Sequence, residues 1–170
     1  MTLGSVDVII RALNAAGVRY LVAGGLAVNA HGYLRLTMDV DLVVQLVPEN
    51  IGRAFAVLAG LGYRPSVPVT AEQFARPEQR ERWMREKSMT VLQLWSDAHR
   101  ETSIDLFVAE PFDFDDEHRR AWRRELAAGV EVPFISLATL IRMKEQAGRP
   151  QDLIDVEHLR IREEQQRGGS

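Results

Sequence analysis

The sequence predicts an α/β or α+β domain, in which helices pack on a mixed β-sheet and a helical pair follows at the end. In the early and middle parts of the chain, short runs of apolar and β-branched residues alternate with segments of helical periodicity. Glycine and proline mark the ends of most of these segments. Near the end, two helical segments follow one another and are separated by Gly148-Arg149-Pro150.

The individual elements follow from apolar spacing and from the residues that cap or break it. Val6, Ile9 and Leu13 fall on one face of a helix that Gly17 can end. Residues 70–87 are polar and are expected to form helical or loop material at the surface. Strands are predicted over 20–23, 40–47, 89–95, 103–108 and 130–134. Further helices are predicted over 26–30, 51–61, 116–126, 137–147 and 150–162.

Composition narrows the classes of protein and of site. A length of 170 residues fits one domain, or one domain with a helical appendage. Because there are no cysteines, disulfides, thiolate metal sites and cysteine nucleophiles are excluded. With only four histidines, a metal would have to be a hard cation on carboxylates, namely Mg²⁺, Mn²⁺ or Ca²⁺. The net charge of -3 argues against a protein that holds duplex DNA through its whole surface, although a local basic groove stays open.

We predict three parts: a core over residues 1–134, a helical pair over 135–162 packed on that core, and a flexible polar tail over 163–170. No apolar run is long enough to span a bilayer. A signal peptide has a basic stretch followed by an apolar one, and residues 1–8 contain no such pattern. We therefore expect a cytoplasmic location and no membrane partner.

Two aspartates at alternate positions of a predicted strand are the first candidate site residues. Asp39 and Asp41 should point to the same face of that strand, where two carboxylates repel each other unless a cation lies between them. Asp105 is a third acid, placed in an otherwise apolar strand where an unpaired charge is costly. If the two strands are neighbours, the three carboxylates converge. Such a set can hold two Mg²⁺ ions about 3.5–4 Å apart for phosphoryl transfer.

A glycine pair precedes the first acids. Gly24 and Gly25 follow a short buried strand and lead into a helical segment, so backbone N–H groups and the helix N-terminus could approach phosphate oxygens closely. Arg35 and Thr37 lie just upstream of the acids, where either an ordinary surface loop or a contact to triphosphate or acceptor fits. Among the aromatic residues, the three tryptophans are interpreted as core or half-buried anchors rather than as base-stacking platforms: Trp83, Trp95 and Trp122.

This pattern resembles the signature of the nucleotidyltransferase superfamily related to DNA polymerase β: an apolar residue and Gly-Gly, a gap, Asp-apolar-Asp-apolar, and a later strand Asp. The resemblance implies a nucleotidyltransferase fold and transfer of a nucleoside monophosphate from a nucleoside triphosphate to a hydroxyl or similar acceptor. It implies that Gly24 and Gly25 contact the triphosphate. It also implies that Asp39, Asp41 and Asp105 hold Mg²⁺ or Mn²⁺.

A narrower resemblance covers nearly the whole chain. Val22-Ala23-Gly24-Gly25-Leu26-Ala27, Arg35-Leu36-Thr37-Met38-Asp39-Val40-Asp41, Leu140-Ile141-Arg142-Met143-Lys144 and Arg149-Pro150-Gln151-Asp152 are together similar to AbiEii-type toxin nucleotidyltransferases and their uncharacterised bacterial relatives. The resemblance implies site roles for Lys144 and Asp152, with Arg149 contacting phosphate. Asp155, one helical turn further along, is the alternative to Asp152.

Two functional classes follow from these observations. The first is an active enzyme whose acceptor is a protein, a tRNA or a small molecule, and which could be the toxin of a toxin–antitoxin pair with a cognate antitoxin as partner. The second is a non-catalytic relative that binds a nucleotide or a partner protein as a regulatory module. Because all three acids are present, we favour the enzyme.

Overall fold

The computed structural model of the chain describes residues 1–168. Seven strands form one mixed sheet in the order β3-β4-β5-β2-β1-β7-β6. The strands are β1 (Tyr20–Val22), β2 (Asp39–Val44), β3 (Tyr63–Pro65), β4 (Val91–Ser96), β5 (Ser103–Phe107), β6 (Trp122–Ala127) and β7 (Val130–Phe134). The helices are α1 (Leu3–Ala15), α2 (Gly24–Ala30), α3 (Pro48–Gly60), α4 (Ala71–Ala75), α5 (Pro77–Lys87), α6 (Phe114–Arg119), α7 (Leu137–Ala147) and α8 (Pro150–Gly168).

The centre of the sheet is the pair β2–β5, which runs parallel, whereas β1 runs antiparallel to β2 and β4 antiparallel to β5. Even-numbered side chains of the central strands, such as Val40, Leu42, Ile104 and Leu106, are buried in the hydrophobic core. Odd-numbered side chains of the same strands are only partly buried on β5 and at the start of β2. Since side chains alternate along a strand, one face of the sheet supplies the core and the other faces a partly open site.

The late helices form the predicted pair. Ser136 accepts a hydrogen bond from the N–H of Thr139 and caps α7, and Gly148 ends that helix in the left-handed conformation with φ of 62°. Pro150 then begins α8, so the break between the helices is the one the sequence indicates. Helix α8 continues to Gly168, beyond the end near residue 162 that the sequence suggested. Of the predicted tail, residues 169–170 lie outside the described residues.

Two predicted elements differ in the structure. The helix expected over 116–126 is wrong, because α6 ends at Arg119 and Trp122–Ala127 forms the edge strand β6, paired antiparallel with β7. Strand β6 is exposed on almost every residue, so it lacks the apolar alternation by which a strand is recognised. The sequence also gave no signal for β3, a three-residue edge strand. No helix within residues 1–168 is long and apolar enough to cross a membrane.

Candidate active site

The register of β2 and β5 brings two of the predicted acids together. Asp41 lies directly opposite Asp105, and Asp39 lies opposite Ser103. In a parallel pair, residues in register project to the same face, so all three acids lie on the partly open face of the sheet. Asp41 and Asp105 also line one cleft. The two acid-bearing strands are therefore neighbours, which is the condition under which the sequence predicts that the three carboxylates converge.

The carboxylates on the sheet repel one another, and burial together with this repulsion raises the pKa values of Asp41 and Asp105. The pKa of Asp41 is raised to about 6, because burial and the charges of Asp105 and Asp39 outweigh the lowering by Lys144 and by the backbone N–H of Gly25. Burial and the charge of Asp39 also raise the pKa of Asp105. Oδ1 of Asp105 is buried without a hydrogen-bond partner. An orphaned carboxylate oxygen beside a second carboxylate is the kind of environment that a bound cation relieves.

Asp39 and Asp105 each have a polar neighbour that the sequence did not indicate. The hydroxyl of Ser103 donates a hydrogen bond to Asp39 across the β2–β5 pair. On β4, Gln93 lies opposite Asp105, and its side chain lowers the pKa of that acid by hydrogen bonding. Only the strand register shows these contacts, since neither residue is close to its partner in sequence.

The donor set suits a hard divalent cation, because carboxylate oxygens are the ligands that Mg²⁺ and Mn²⁺ prefer. As placed, however, the three side chains do not form a ready metal centre. In residues 1–168, no group of three or more histidine or acidic side chains is arranged so that it could hold a metal ion. Asp39 is instead turned towards Ser103. Two observations therefore support a metal here: Oδ1 of Asp105 is buried without a partner, and all three candidate ligands are carboxylates.

The glycine pair packs directly against these acids. Gly24 begins α2 with φ of 59°, and a Cβ at this position would collide with the Asp41 carboxylate. A Cβ on Gly25 would lie 2.5 Å from Oγ1 of Thr37 and 3.2 Å from Nη2 of Arg35. Any side chain here would close the approach to the acids. The structure thus places Gly24, Gly25, Arg35 and Thr37 around one point beside Asp41.

The late helices contribute a buried ion-pair cluster. Lys144 is 6% exposed, and its Nζ lies 2.9 Å from Oδ1 of Asp152 and 2.7 Å from Oδ2 of Asp155. Nε of Arg149 lies 2.6 Å from Oδ2 of Asp152. Arg35 completes the cluster, because its Nε lies 2.9 Å from Oδ1 of Asp155. Asp152 and Asp155 therefore both belong to this cluster, although the sequence left a choice between them.

The pKa values of the two helical acids move in the opposite direction from those on the sheet. Burial alone raises the pKa of Asp152, but hydrogen bonds and charge from Arg149 and Lys144 outweigh it and lower the pKa. For Asp155, burial is likewise outweighed by hydrogen bonds from Lys144 and Gln151 and by the charge of Lys144. Both carboxylates are therefore held in the ionised form.

Helix α8 also fixes the loop that precedes the first acids. Besides the Arg35–Asp155 ion pair, the ring of Tyr33 stacks on His158 with centroids 3.9 Å apart. Nη2 of Arg162 donates to the carbonyl of Gly32 at 3.2 Å. The loop that carries Arg35 and Thr37 is therefore positioned by the last helix.

A cleft of about 440 Å³ runs between the acid-bearing face of the sheet and α7. Gly24, Asp41 and Asp105 lie at one side of it, and Lys144, Arg149 and Asp152 lie at another. Its remaining wall is largely apolar and was not predicted: Val91, Phe107, Pro111, Leu140 and Met143. A slightly larger cavity of about 500 Å³ lies around Arg80 and Glu110, away from the three acids.

No family model matches the sequence, and no curated protein matches it significantly. In three dimensions the chain has the nucleotidyltransferase fold. A solution structure of the antibiotic-resistance factor ANT(2'')-Ia matches it with a TM-score of 0.58 and 17% identity, over 94% of this chain and 81% of that one. A crystal structure of ANT(2'')-Ia in complex with adenylyl-2''-tobramycin matches with a TM-score of 0.57 and 16% identity, over 92% and 86%. At this identity the likeness establishes the fold.

Proposed function

We propose that the chain is a metal-dependent nucleotidyltransferase that transfers a nucleoside monophosphate from a nucleoside triphosphate to a hydroxyl acceptor. The observation that carries the proposal is the register of Asp41 opposite Asp105, on an open sheet face and against the glycine pair. A buried pair of repelling carboxylates is costly to keep unless it binds something positive. The nucleotidyltransferase fold supports the same conclusion.

In this proposal, Asp39, Asp41 and Asp105 would hold Mg²⁺ or Mn²⁺, which supplies charge neutralisation at the transferring phosphate. The acceptor hydroxyl oxygen forms a bond to the α-phosphorus, and the bond from that phosphorus to the bridging oxygen breaks, so pyrophosphate leaves. The hydroxyl proton passes to the Asp105 carboxylate, which is a stronger base than an ordinary aspartate because burial and the charge of Asp39 raise its pKa.

The remaining residues bind and position. The backbone N–H groups at the start of α2 would donate to the triphosphate, and the missing Cβ atoms of Gly24 and Gly25 let Asp41 and Thr37 pack against this turn. Arg149 lines the cleft with a side chain that is 76% exposed, so it can contact phosphate while paired with Asp152. Lys144 and Asp155 are too deeply buried for direct contact to be their main role. Asp155 holds Arg35 beside Gly25, Asp152 holds Arg149, and Lys144 lies between the two carboxylates.

The acceptor class is favoured by one comparison. ANT(2'')-Ia is described in complex with an adenylylated small molecule, which supports a small-molecule acceptor here over a protein or a tRNA. The toxin role, the antitoxin partner and the cytoplasmic location expected from the sequence stay predictions, and so does the choice of triphosphate.

The test uses purified protein, Mg²⁺, each α-labelled nucleoside triphosphate in turn and a small-molecule cell extract as the source of acceptor. The wild type should transfer label to acceptor, and Asp41→Asn should not. Asp116→Asn is the matched control, because Asp116 is an exposed acid on α6 outside the cleft. Binding of a non-hydrolysable triphosphate with Mg²⁺ is measured in parallel by calorimetry.

Binding of the analogue without transfer in any condition would favour the non-catalytic nucleotide-binding module. If neither binding nor transfer occurs, and if Asp41→Asn changes only stability, the acids are structural and the proposal is wrong.

A further inference from the structure

The floor of the cleft becomes apolar within one step of the acids. On the acid-bearing face of the sheet, the strand register places Phe107 of β5 opposite Val91 of β4. Since alternate residues of a strand share a face, Phe107 lies about 6.8 Å along the strand from Asp105. Phe107 and Val91 are only partly buried, and both line the cleft. The cleft therefore has an acidic end and an apolar end.

Helix α7 supplies the wall opposite this floor. Four of its residues fall at positions i, i+3, i+4 and i+7, so they form one stripe along the helix, and all four line the cleft: Leu140, Met143, Lys144 and Ala147. The Lys144 ammonium is taken up by its two carboxylate partners on α8. The other three residues of the stripe make the wall apolar.

Packing between helix and sheet does not account for this apolar end. A helix that only buried its apolar stripe would pack Met143 closely against Phe107, because protein interiors are filled to high density. Both side chains instead border a cleft of about 440 Å³, and ligand sites in proteins occupy about 300–1,000 Å³. The two apolar walls therefore indicate a ligand that is itself apolar on two faces.

Polarity decides which part of the reactants suits this space. A phosphate or a hydroxyl-rich group placed between the apolar walls would lose its hydration without replacement. A heteroaromatic base is apolar on both faces and polar only at its edge. Thr90 and Gln146 also line the cleft, are exposed and uncharged, and can each donate and accept hydrogen bonds. A flat base between the walls would present its edge to these two side chains.

The separation of the two ends also suits a nucleotide. Gly24 and Arg149 line the cleft with Asp41 and Asp105, and the charge of Arg149 acts on both acids. The phosphates therefore belong at this end. In a nucleotide, the ribose and its 5′ oxygen separate the α-phosphorus from the base by roughly one step of a strand, or about 6.8 Å. A base attached to a phosphate at Asp105 would thus reach Phe107.

We infer that Val91, Phe107, Leu140 and Met143 form a base slot, which holds the purine or pyrimidine ring of the nucleoside triphosphate between the sheet and α7. The inference rests on the proposed function and assigns the position of the nucleoside. The thioether of Met143 contacts the base from the helix side, because sulfur packs favourably on aromatic rings. The ring of Phe107 contacts it from the sheet side.

The test follows the methyl resonances of protein whose five methionines carry ¹³C in the methyl group. The probes, each with Mg²⁺, are the α,β-methylene analogues of ATP, GTP, CTP and UTP, and inorganic tripolyphosphate, which has no base. At least one analogue should move the Met143 methyl upfield, as a methyl group on the face of an aromatic ring moves, whereas tripolyphosphate should leave it in place. Met84 is the matched control, because it is also partly buried but lines the separate cavity around Arg80.

Variants give the second readout. Met143→Ala should weaken binding of the responding analogue by about three- to tenfold. Met143→Leu should restore part of the affinity, and Met84→Ala should leave it unchanged. Binding of Mg²⁺–tripolyphosphate, read from the backbone amides of Gly24 and Gly25, should be the same in all three variants. An equal loss of analogue and tripolyphosphate binding in Met143→Ala would assign Met143 to the phosphate end or to folding, and the base slot would be wrong.

The outcomes distinguish the base slot from the proposed function. If Gly24 and Gly25 respond to the analogues but the Met143 methyl moves with none of them, the base slot is wrong and the proposed function stands. A Met143 shift of the same size with tripolyphosphate would show that the methyl group reports phosphate binding, which also overturns the base slot. If Gly24 and Gly25 respond to no probe, the proposed function fails, and the base slot fails with it.

Discussion

The sheet side and the helical side of the cleft treat charge in opposite ways. On the sheet, Asp41 and Asp105 are held together without a neutralising partner, and both pKa values are raised. On the helices, Lys144 lies between Asp152 and Asp155, and both carboxylate pKa values are lowered. Both groups are largely buried, so burial alone does not explain the difference.

The contrast separates two kinds of role. A buried cluster in which every charge has a partner of the opposite sign is complete as it stands, and removing one of its members lowers stability. A buried cluster of one sign is incomplete, and its members lower stability until a ligand of the other sign arrives. The sheet side is therefore the side to test for function, and the helical side the side to test for stability.

The largest expected effect is on the helical side. Lys144→Met removes the only cation in residues 1–168 that contacts both buried carboxylates. It leaves Asp152 with Arg149 alone and Asp155 with Arg35 alone, so the free energy of unfolding should fall by about 3 kcal/mol. Urea denaturation at pH 7 measures it. Arg160→Met, which breaks the exposed pair with Glu145, serves as the control and should leave the unfolding midpoint nearly unchanged. Equal midpoints for the two variants would remove the distinction between a buried and an exposed pair.

The next effect is a steric one beside Asp41. Gly24→Ala combines a left-handed φ with a collision against the Asp41 carboxylate, and should cost about 2–4 kcal/mol and abolish transfer. Gly17→Ala is matched to it, since Gly17 has φ of 64° but nothing within 4 Å of a Cβ, and should cost about 1 kcal/mol. Thermal unfolding and label transfer are compared for the pair. Equal costs would show that the close approach at Gly24 has no energetic consequence.

On the sheet side, the substitution is expected to raise the free energy of unfolding or leave it unchanged, whereas the two preceding substitutions lower it. Asp41→Asn removes one of two repelling charges while keeping the side-chain shape, so the metal-free protein should be unchanged or more stable by about 1 kcal/mol. Transfer should be lost. A marked loss of stability in this variant, measured in the same urea series, would mean that the Asp41 charge is already compensated.

The smallest expected effect is on the pH dependence of stability, and it appears only at acidic pH. Because the folded-state pKa values of Asp152 and Asp155 are lowered, these groups stabilise the fold above the unfolded pKa of about 3.9. That stabilisation is lost as the pH falls through their folded values. Unfolding midpoints between pH 5 and pH 2 should therefore fall less steeply in Lys144→Met than in the wild type. Parallel pH profiles would mean that Lys144 is not the cause of the lowered pKa values.

The fold was predictable where local signals agree with tertiary structure. Strand β2 is rich in valine, β5 contains the apolar residues Ile104, Leu106 and Phe107, and α7 has both a Ser136 cap and a Gly148 end, so each could be predicted from its own residues. Strand β6 could not, because its side chains face solvent and it exists through its pairing with β7. Its charged residues carry the pattern of an exposed helix equally well.

The candidate site was predictable to the extent that unusual residues reveal it. Acids inside apolar strands and a glycine pair before them stand out in sequence, and the structure places them together. Ser103, Gln93 and the Asp155–Arg35 ion pair do not stand out, since each acts through a partner distant in sequence. The burial of Lys144 was also hidden, because charged neighbours on both sides suggest an exposed helix face.

The parallel pairing of β2 with β5 has a consequence for how the protein folds. The Ser103–Asp39 hydrogen bond joins residues 64 positions apart, so the two halves of the acid cluster meet only after a long loop has closed. A ligand that bridges β2 and β5 therefore finds its site only in a chain that is already largely folded. Such a ligand should slow unfolding and raise the melting temperature while leaving the folding rate almost unchanged.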